Sequence, residues 1–185
     1  MRLLVTGSSK LAGALLKFDW PRDWCIDSRR IEEILADDFP IDEYDVFLNC
    51  AHVGFRQCWL LEKFHEAWLK DSSKYIINFS SRAAKPNISK GIMYSTQKAA
   101  LNHLADLITY TTEKRYKMTV LNLGLLERPR LEHISTQYRA VCVLLEDLIY
   151  KHEIGFPNEC SEITFQHKIN YRKAQELKSE QQGTR

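Results

Sequence analysis

The sequence contains no apolar run of about 18 residues, so it offers no membrane-spanning helix. It has no C-x-x-C pair and no zinc-ligand spacing. Its five cysteines (Cys25, Cys50, Cys58, Cys142 and Cys160) are odd in number and far apart. That pattern argues against a disulfide framework and a structural zinc site. No secretory leader pattern stands at the start. The cysteines therefore read as reduced thiols, mostly in the core, of a cytoplasmic protein. Charge bias is also missing: 26 Lys and Arg stand against 24 Asp and Glu, a net charge of +2. With no basic block and no aromatic stacking array, no nucleic-acid partner is expected. Repeats and linkers are absent too. A hydrophobic share of 44% and a charged share of 27% are ordinary for a globular chain. The 185 residues suffice for one domain with a substantial core. That domain is expected over 1–167, followed by a polar Lys/Glu/Gln-rich tail over 168–185.

What is present is an alternation of short apolar runs and helical patterns. Leu3–Val5, Trp24–Ile26, Leu35–Asp38, Asp45–Asn49, Tyr75–Phe79, Met118–Leu123 and Ile163–Phe165 read as strands. Between them lie helical stretches at Gly13–Lys17, Arg29–Ile34, Phe55–Leu69, Met93–Thr111 and Thr136–Tyr150. In Phe55–Leu69 the residues Trp59, Leu60, Phe64 and Trp68 recur at helical spacing. Such alternation predicts a Rossmann-like, doubly wound parallel sheet: an α/β protein in three layers, α/β/α.

Three side chains carry the chemistry of the sequence. Tyr94 and Lys98 are four apart in a helical stretch and so share one face. A cation beneath a phenol favours the phenolate and lowers its pKa from about 10. The phenol then becomes a proton donor usable near neutral pH. Ser81, thirteen residues before Tyr94 at a strand end, is placed to hold a substrate oxygen against it. The Tyr-x-x-x-Lys pattern alone is weak, since eight Tyr and fourteen Lys give roughly 0.6 such pairs by chance. A second pair, Tyr110 and Lys114, falls on nearly the opposite face of the same helix. Only Tyr94 has a strand-end Ser at a suitable distance upstream.

The N-terminus adds a strand, a glycine turn and a helix, in the order that builds a phosphate site at a helix N-terminus. Here the run Met1–Gly7 is followed by Ser8, Ser9, Lys10, Leu11, Ala12 and Gly13.

Taken in order from Arg2 to about Gly124, these segments resemble the short-chain dehydrogenase/reductase family. Thr6-Gly7-Ser8-Ser9-Lys10-Leu11-Ala12-Gly13 resembles its Thr-Gly-x-x-x-Gly-x-Gly turn, with Leu11 at the middle glycine. Asn49-Cys50-Ala51-His52 resembles its Asn-Asn-Ala-Gly, and Asn122-Leu123-Gly124 its Asn-Pro-Gly. Asn78-Phe79-Ser80-Ser81 resembles its serine strand end. The resemblance implies that Ser81, Tyr94 and Lys98 are catalytic. It implies a dinucleotide held by Gly7, Ser8, Ser9, Lys10, Leu11, Gly13, Ser28, Arg29, Asn49, Ala51, Tyr94, Lys98 and Gly124, with Asp38 near the adenine. The relay Asn that many members carry has no counterpart, since no Asn lies between Cys50 and Asn78.

The segment Ile26-Asp27-Ser28-Arg29-Arg30 carries both cofactor signals: an acid for free ribose hydroxyls and bases for a 2′-phosphate. With Lys10 added to the basic side, NADP(H) is expected over NAD(H). A small-molecule carbonyl or alcohol is the expected substrate. Specificity is expected in the segment from Leu125 to Gln137, where Glu127, Arg128, Arg130, Glu132 and His133 read as a polar surface loop or as the wall of a small or open pocket; His52 and Arg82 at strand ends read as solvated or as facing that pocket. Three readings stay open: an NAD(P)-dependent oxidoreductase, a catalytically degenerate dinucleotide-binding sensor or scaffold, and a cofactor-free interaction protein. A homodimer is expected through the helices at 55–69 and 93–111, because the stripe from Trp59 to Trp68 is wider than one sheet face needs.

Overall fold

The protein is described by a computed structural model covering residues 1–86, 91–129, 131 and 134–168. The polar tail, apart from Lys168, lies outside the described residues, as do Arg130, Glu132 and His133.

Runs of four to seven residues, largely apolar in the inner strands and mixed at the two edges, build the sheet. They are β1 (Arg2–Thr6), β2 (Cys25–Arg29), β3 (Val46–Asn49), β4 (Tyr75–Ser81), β5 (Lys117–Leu123) and β6 (Glu162–Phe165). The helices are α1 (Lys10–Lys17), α2 (Ile31–Leu35), α3 (Arg56–Trp68), α4 (Ile92–Thr111) and α5 (Tyr138–Glu153). All strands pair in parallel in one sheet ordered β2-β1-β3-β4-β5-β6.

Period-two alternation along each strand sends successive side chains to opposite faces. Leu3, Val5, Val46, Leu48, Ile77 and Leu121 meet α1 and α5 through Leu11, Leu15, Val141 and Leu145. Leu4, Phe47, Ile76 and Met118 meet α2, α3 and α4 through Ile34, Leu60, Phe64 and Leu101. Each cluster is a separate core beneath one helical layer, which gives the three-layer architecture expected from the alternation.

One expected strand is absent. Leu35 closes α2 and the chain then turns; Leu35–Asp38 joins no sheet. Two aspartates followed by Phe39 and Pro40 favour a turn, and Pro40 removes a ladder donor. The sheet therefore ends at β2. The second strand runs three residues further than Trp24–Ile26, so Ser28 and Arg29 lie within it. The cysteines also differ from expectation: Cys50 and Cys142 are buried, whereas Cys25 and Cys160 are exposed. Among the described residues no helix is long and apolar enough to cross a membrane.

The sheet order reverses direction between β1 and β3. After β1 the chain moves outward to β2, then returns across β1 to β3. Ligand crevices in open parallel sheets lie beyond the carboxyl ends of the strands at such a switch point.

Candidate active site

A cavity of about 430 Å³ opens at that place. Its wall is drawn from the β1–α1 turn (Ser9, Lys10, Leu11), the end of β3 (Cys50, His52), the end of β4 (Ser80, Ser81), α4 (Tyr94, Lys98) and the segment after β5 (Gly124 to Arg128). All three catalytic candidates are thus brought around one space from two elements, Ser81 from β4 and Tyr94 and Lys98 from α4.

Ser81 ends β4 and opens a short 3-10 turn, Arg82–Ala84. Its Oγ accepts the Ala83 N–H at 3.2 Å. A hydroxyl that accepts in this way keeps its own O–H to donate to a ligand oxygen. Tyr94 lies in the first turn of α4, with Lys98 one turn further on and its Nζ 5.9 Å from the Tyr94 ring centre. Tyr110, by contrast, is 80% exposed and takes no part in the cavity wall.

Lys98 is buried, with only 4% of its surface exposed. Its Nζ donates to Gln57 Oε1 at 2.6 Å and to the Phe79 carbonyl at 2.7 Å. Burial pushes the ammonium down to about 8, the cost of removing a cation from water. Gln57 was not legible as a site residue in the sequence. It sits in the first turn of α3 and folds back across the strand ends, its Nε2 donating to the Asn49 carbonyl at 2.7 Å and the Phe79 carbonyl at 3.2 Å. The region holds no Asn, and the longer carboxamide of Gln57 reaches the lysine instead.

Asn49 belongs to the same buried network. Its Nδ2 donates to the Gln57 carbonyl and to Asn78 Oδ1, both at 2.9 Å. It therefore stands behind the cavity rather than in its wall. Thr6 organises the neighbouring turn: its Oγ1 accepts the N–H groups of Cys50 and Ala51 at 2.8 and 2.7 Å.

The turn after β1 suits a dinucleotide phosphate. Gly7 has φ +82°, and a Cβ there would stand 2.6 Å from the Ala51 Cβ, so only glycine allows β1 and the β3 end to approach so closely. Ser9 caps α1 by accepting the Ala12 N–H at 3.1 Å. The first-turn N–H groups of a helix have no carbonyl partner within it, and they face an anion favourably. Leu11 is 6% exposed and packs into the core beneath α1, so its side chain is largely turned away from the cavity it borders. Ser8 lies in the same turn and Gly13 lies within α1. Ser80 Oγ and His52 Nε2 are buried without a hydrogen-bond partner. Unpaired polar atoms in such a wall cost about 1–3 kcal/mol each, which a polar ligand relieves. The residues present therefore fit a dinucleotide and a polar substrate group.

His52 meets the Tyr94 ring edge-on, with centroids 4.8 Å apart. Burial, then the Lys98 charge, lowers its pKa from the usual 6.5. Arg82 does not line the cavity and instead donates to Gln166 Oε1.

On the outer side of the switch point, Ser28 Oγ donates to the Gly7 carbonyl at 3.1 Å. Arg29 pairs with Asp27 at 2.8 Å, and Tyr44 donates to the same Asp27 carboxylate at 2.8 Å. Acid and base at this strand end are thus already engaged with each other. Asp38 is exposed in the turn after α2, away from the cavity wall.

No protein-family model and no curated protein matches the sequence. Solved structures do match. Serine dehydrogenase from Escherichia coli is 12% identical with a TM-score of 0.65, the match covering 89% of this chain and 97% of that one. The alcohol dehydrogenase of the archaeon Thermococcus sibiricus, complexed with 5-hydroxy-NADP, is 11% identical with a TM-score of 0.67 over 90% and 96% of the two chains. Gluconate 5-dehydrogenase from Burkholderia cenocepacia J2315, in complex with NADP and tartrate, is 11% identical with a TM-score of 0.63 over 94% and 95%. At such identities the likeness is one of fold. The likeness covers the Rossmann-like architecture as a whole.

Proposed function

We propose that the protein is an NAD(P)-dependent oxidoreductase of the short-chain dehydrogenase/reductase kind, interconverting a carbonyl and an alcohol. The observation that carries this reading is the convergence of Ser81, Tyr94 and Lys98 on one cavity, beside the glycine turn and at the sheet's switch point. A nicotinamide cofactor supplies or accepts the hydride. The chain's own residues manage the oxygen and the proton.

Ser81 Oγ donates a hydrogen bond to the substrate oxygen, fixing the carbonyl against the Tyr94 phenol. In the reducing direction Tyr94 gives its proton to that oxygen as the carbon gains hydride; in the oxidising direction the phenolate takes the proton back. Lys98, charged below about pH 8, sets its ammonium 5.9 Å from the Tyr94 ring centre, one helical turn from the proton donor. Fixed placement of these groups supplies part of the rate by sparing the reactants an orientational search. The residues that would hold the dinucleotide are Gly7, Ser9, Lys10 and Leu11 at the turn, Lys98 at the ribose and Gly124 beyond β5. Lys10, Arg29 and Arg30 favour NADP(H), since Lys10 opens α1 after the β1 turn and Arg29 and Arg30 stand at the end of β2.

A dinucleotide-binding sensor or scaffold without turnover is the second reading, favoured by Leu11 at a position where glycine lets backbone approach the pyrophosphate. Turnover separates the two. With NADPH and a panel of aldehydes and ketones, the wild-type protein is expected to oxidise the cofactor. Tyr94→Phe is expected to lose at least about a thousandfold in kcat, within the range for general acid catalysis, while binding NADPH as before. Tyr110→Phe is expected to match the wild type. Loss of turnover on Tyr110→Phe but not on Tyr94→Phe would reverse the assignment.

A further inference from the structure

Among the described residues Lys98 has no carboxylate partner, although it is buried and titratable. The groups that face it are neutral near pH 7. On α3, burial raises the Cys58 thiol; at the end of β3, burial pushes Cys50 up to about 11. Beyond β3, His52 is lowered and so uncharged. Tyr94 lies on the lysine's own helix. Among the described residues Nζ therefore donates to the Phe79 carbonyl and the Gln57 carboxamide.

The carboxamide cannot present its other end. Its Nε2 is committed to two carbonyls, of Asn49 at the end of β3 and of Phe79 in β4. Turning it over would set an NH₂ against the ammonium and its one oxygen against two carbonyl oxygens, so its orientation follows from its partners. Gln57 is 2% exposed, and Asn49 Nδ2 also fastens its backbone carbonyl. It is a rigid brace: donors toward the strand ends, acceptor toward the lysine.

We propose that Gln57 is the positioning residue for Lys98, holding the ammonium at the cavity wall and setting the pH range over which it stays charged. Two of the three Nζ hydrogens are committed to Gln57 and Phe79, so the third is aimed by elimination. The consequence for turnover rests on the reading given under Proposed function; the contact itself does not.

The test is a pH titration of Lys98 by NMR in protein carrying ¹³Cε-lysine, with the Lys98 signal assigned by its loss in Lys98→Arg. Gln57→Glu replaces a neutral acceptor with an anion and is expected to raise the midpoint by about one to two pH units. Gln57→Met removes the acceptor and is expected to lower it by about one unit or more. A side chain that serves only packing would leave both midpoints at the wild-type value, and that result overturns the proposal. Should Gln57→Met not fold, Gln57→Glu alone decides, since an unmoved midpoint there is equally fatal. The alkaline limb of turnover with NADPH is expected to shift in the same two opposite directions, which a structural lesion would not produce. Midpoints that move as expected, in a protein that turns over no carbonyl, would uphold Gln57 and defeat the oxidoreductase reading instead.

Discussion

Lys98 holds a charge in a place where charge is costly, and that has a measurable consequence for stability. Its folded pKa of about 8 lies below the unfolded value of 10.5. Between those values the unfolded chain binds more protons than the native one, so raising the pH favours the native state. The burial penalty is full below about pH 8 and fades as pH rises toward 10.5. Wild type is therefore expected to gain about 3 kcal/mol, to order of magnitude, relative to Lys98→Met between pH 8 and 10.5. Chemical denaturation of both proteins across that range checks it, since other titrations cancel in the difference. A constant difference would mean the lysine is not desolvated. At this scale the sequence was informative about spacing within an element. Tyr94 and Lys98 share a helix face because four residues make about one turn, and Ser81 ends a strand that leads to that helix. Gln57 was not legible, because its role comes from contacts to β3, β4 and α4 at once, and sequence spacing within α3 does not reveal them.

Among the elements, the β1–α1 turn is the one that the backbone constrains most. Gly7→Ala combines a left-handed φ of +82° with a Cβ 2.6 Å from the Ala51 Cβ. It is expected to cost about 2–3 kcal/mol in denaturant unfolding. Gly13→Ala is expected to go the other way, gaining about 0.5–1 kcal/mol, because Gly13 lies inside α1 and an added Cβ meets nothing within 4 Å. Equal effects at the two glycines would remove the distinction between them. Strands and helices were legible where period-two or helical apolar patterns ran long enough, as in β4 and α3. Leu35–Asp38 was misread because a short apolar stretch without alternation carries no register, and Pro40 and the aspartates turn the chain. The early start of α1 at Lys10, three residues before Gly13, was also hidden; it comes from Ser9 capping the helix.

For the whole molecule, the width of the α3 stripe has a mostly internal explanation. Leu60, Leu61, Phe64 and Trp68 are fully buried, so they close the core beneath α3 and α4. Trp68 cannot be part of a contact surface as it stands. Trp59 remains 54% exposed and Leu107 45%. We propose that these outward residues of α3 and α4 form the centre of a homodimer contact. Light scattering at micromolar concentration is expected to give twice the chain mass for wild type and the single-chain mass for Trp59→Glu. A single-chain mass for wild type would exclude the dimer. The layer architecture itself was readable from alternation, because every crossover in a parallel sheet needs a helix and each helix needs a face to cover.

The account as a whole turns on whether this cavity and its glycine turn hold a dinucleotide, and a calorimetric titration of the purified protein with NADPH and with NADH decides it most directly. Lys10, Arg29 and Arg30 can each add a charge-assisted contact of about 1.5–3 kcal/mol to a 2′-phosphate. Part of the Arg29 contribution is offset by its existing pair with Asp27. The account predicts one site per chain, with NADPH bound at least about tenfold more tightly than NADH. Equal affinities or tighter NADH would contradict the cofactor preference, and no heat with either would contradict the account itself.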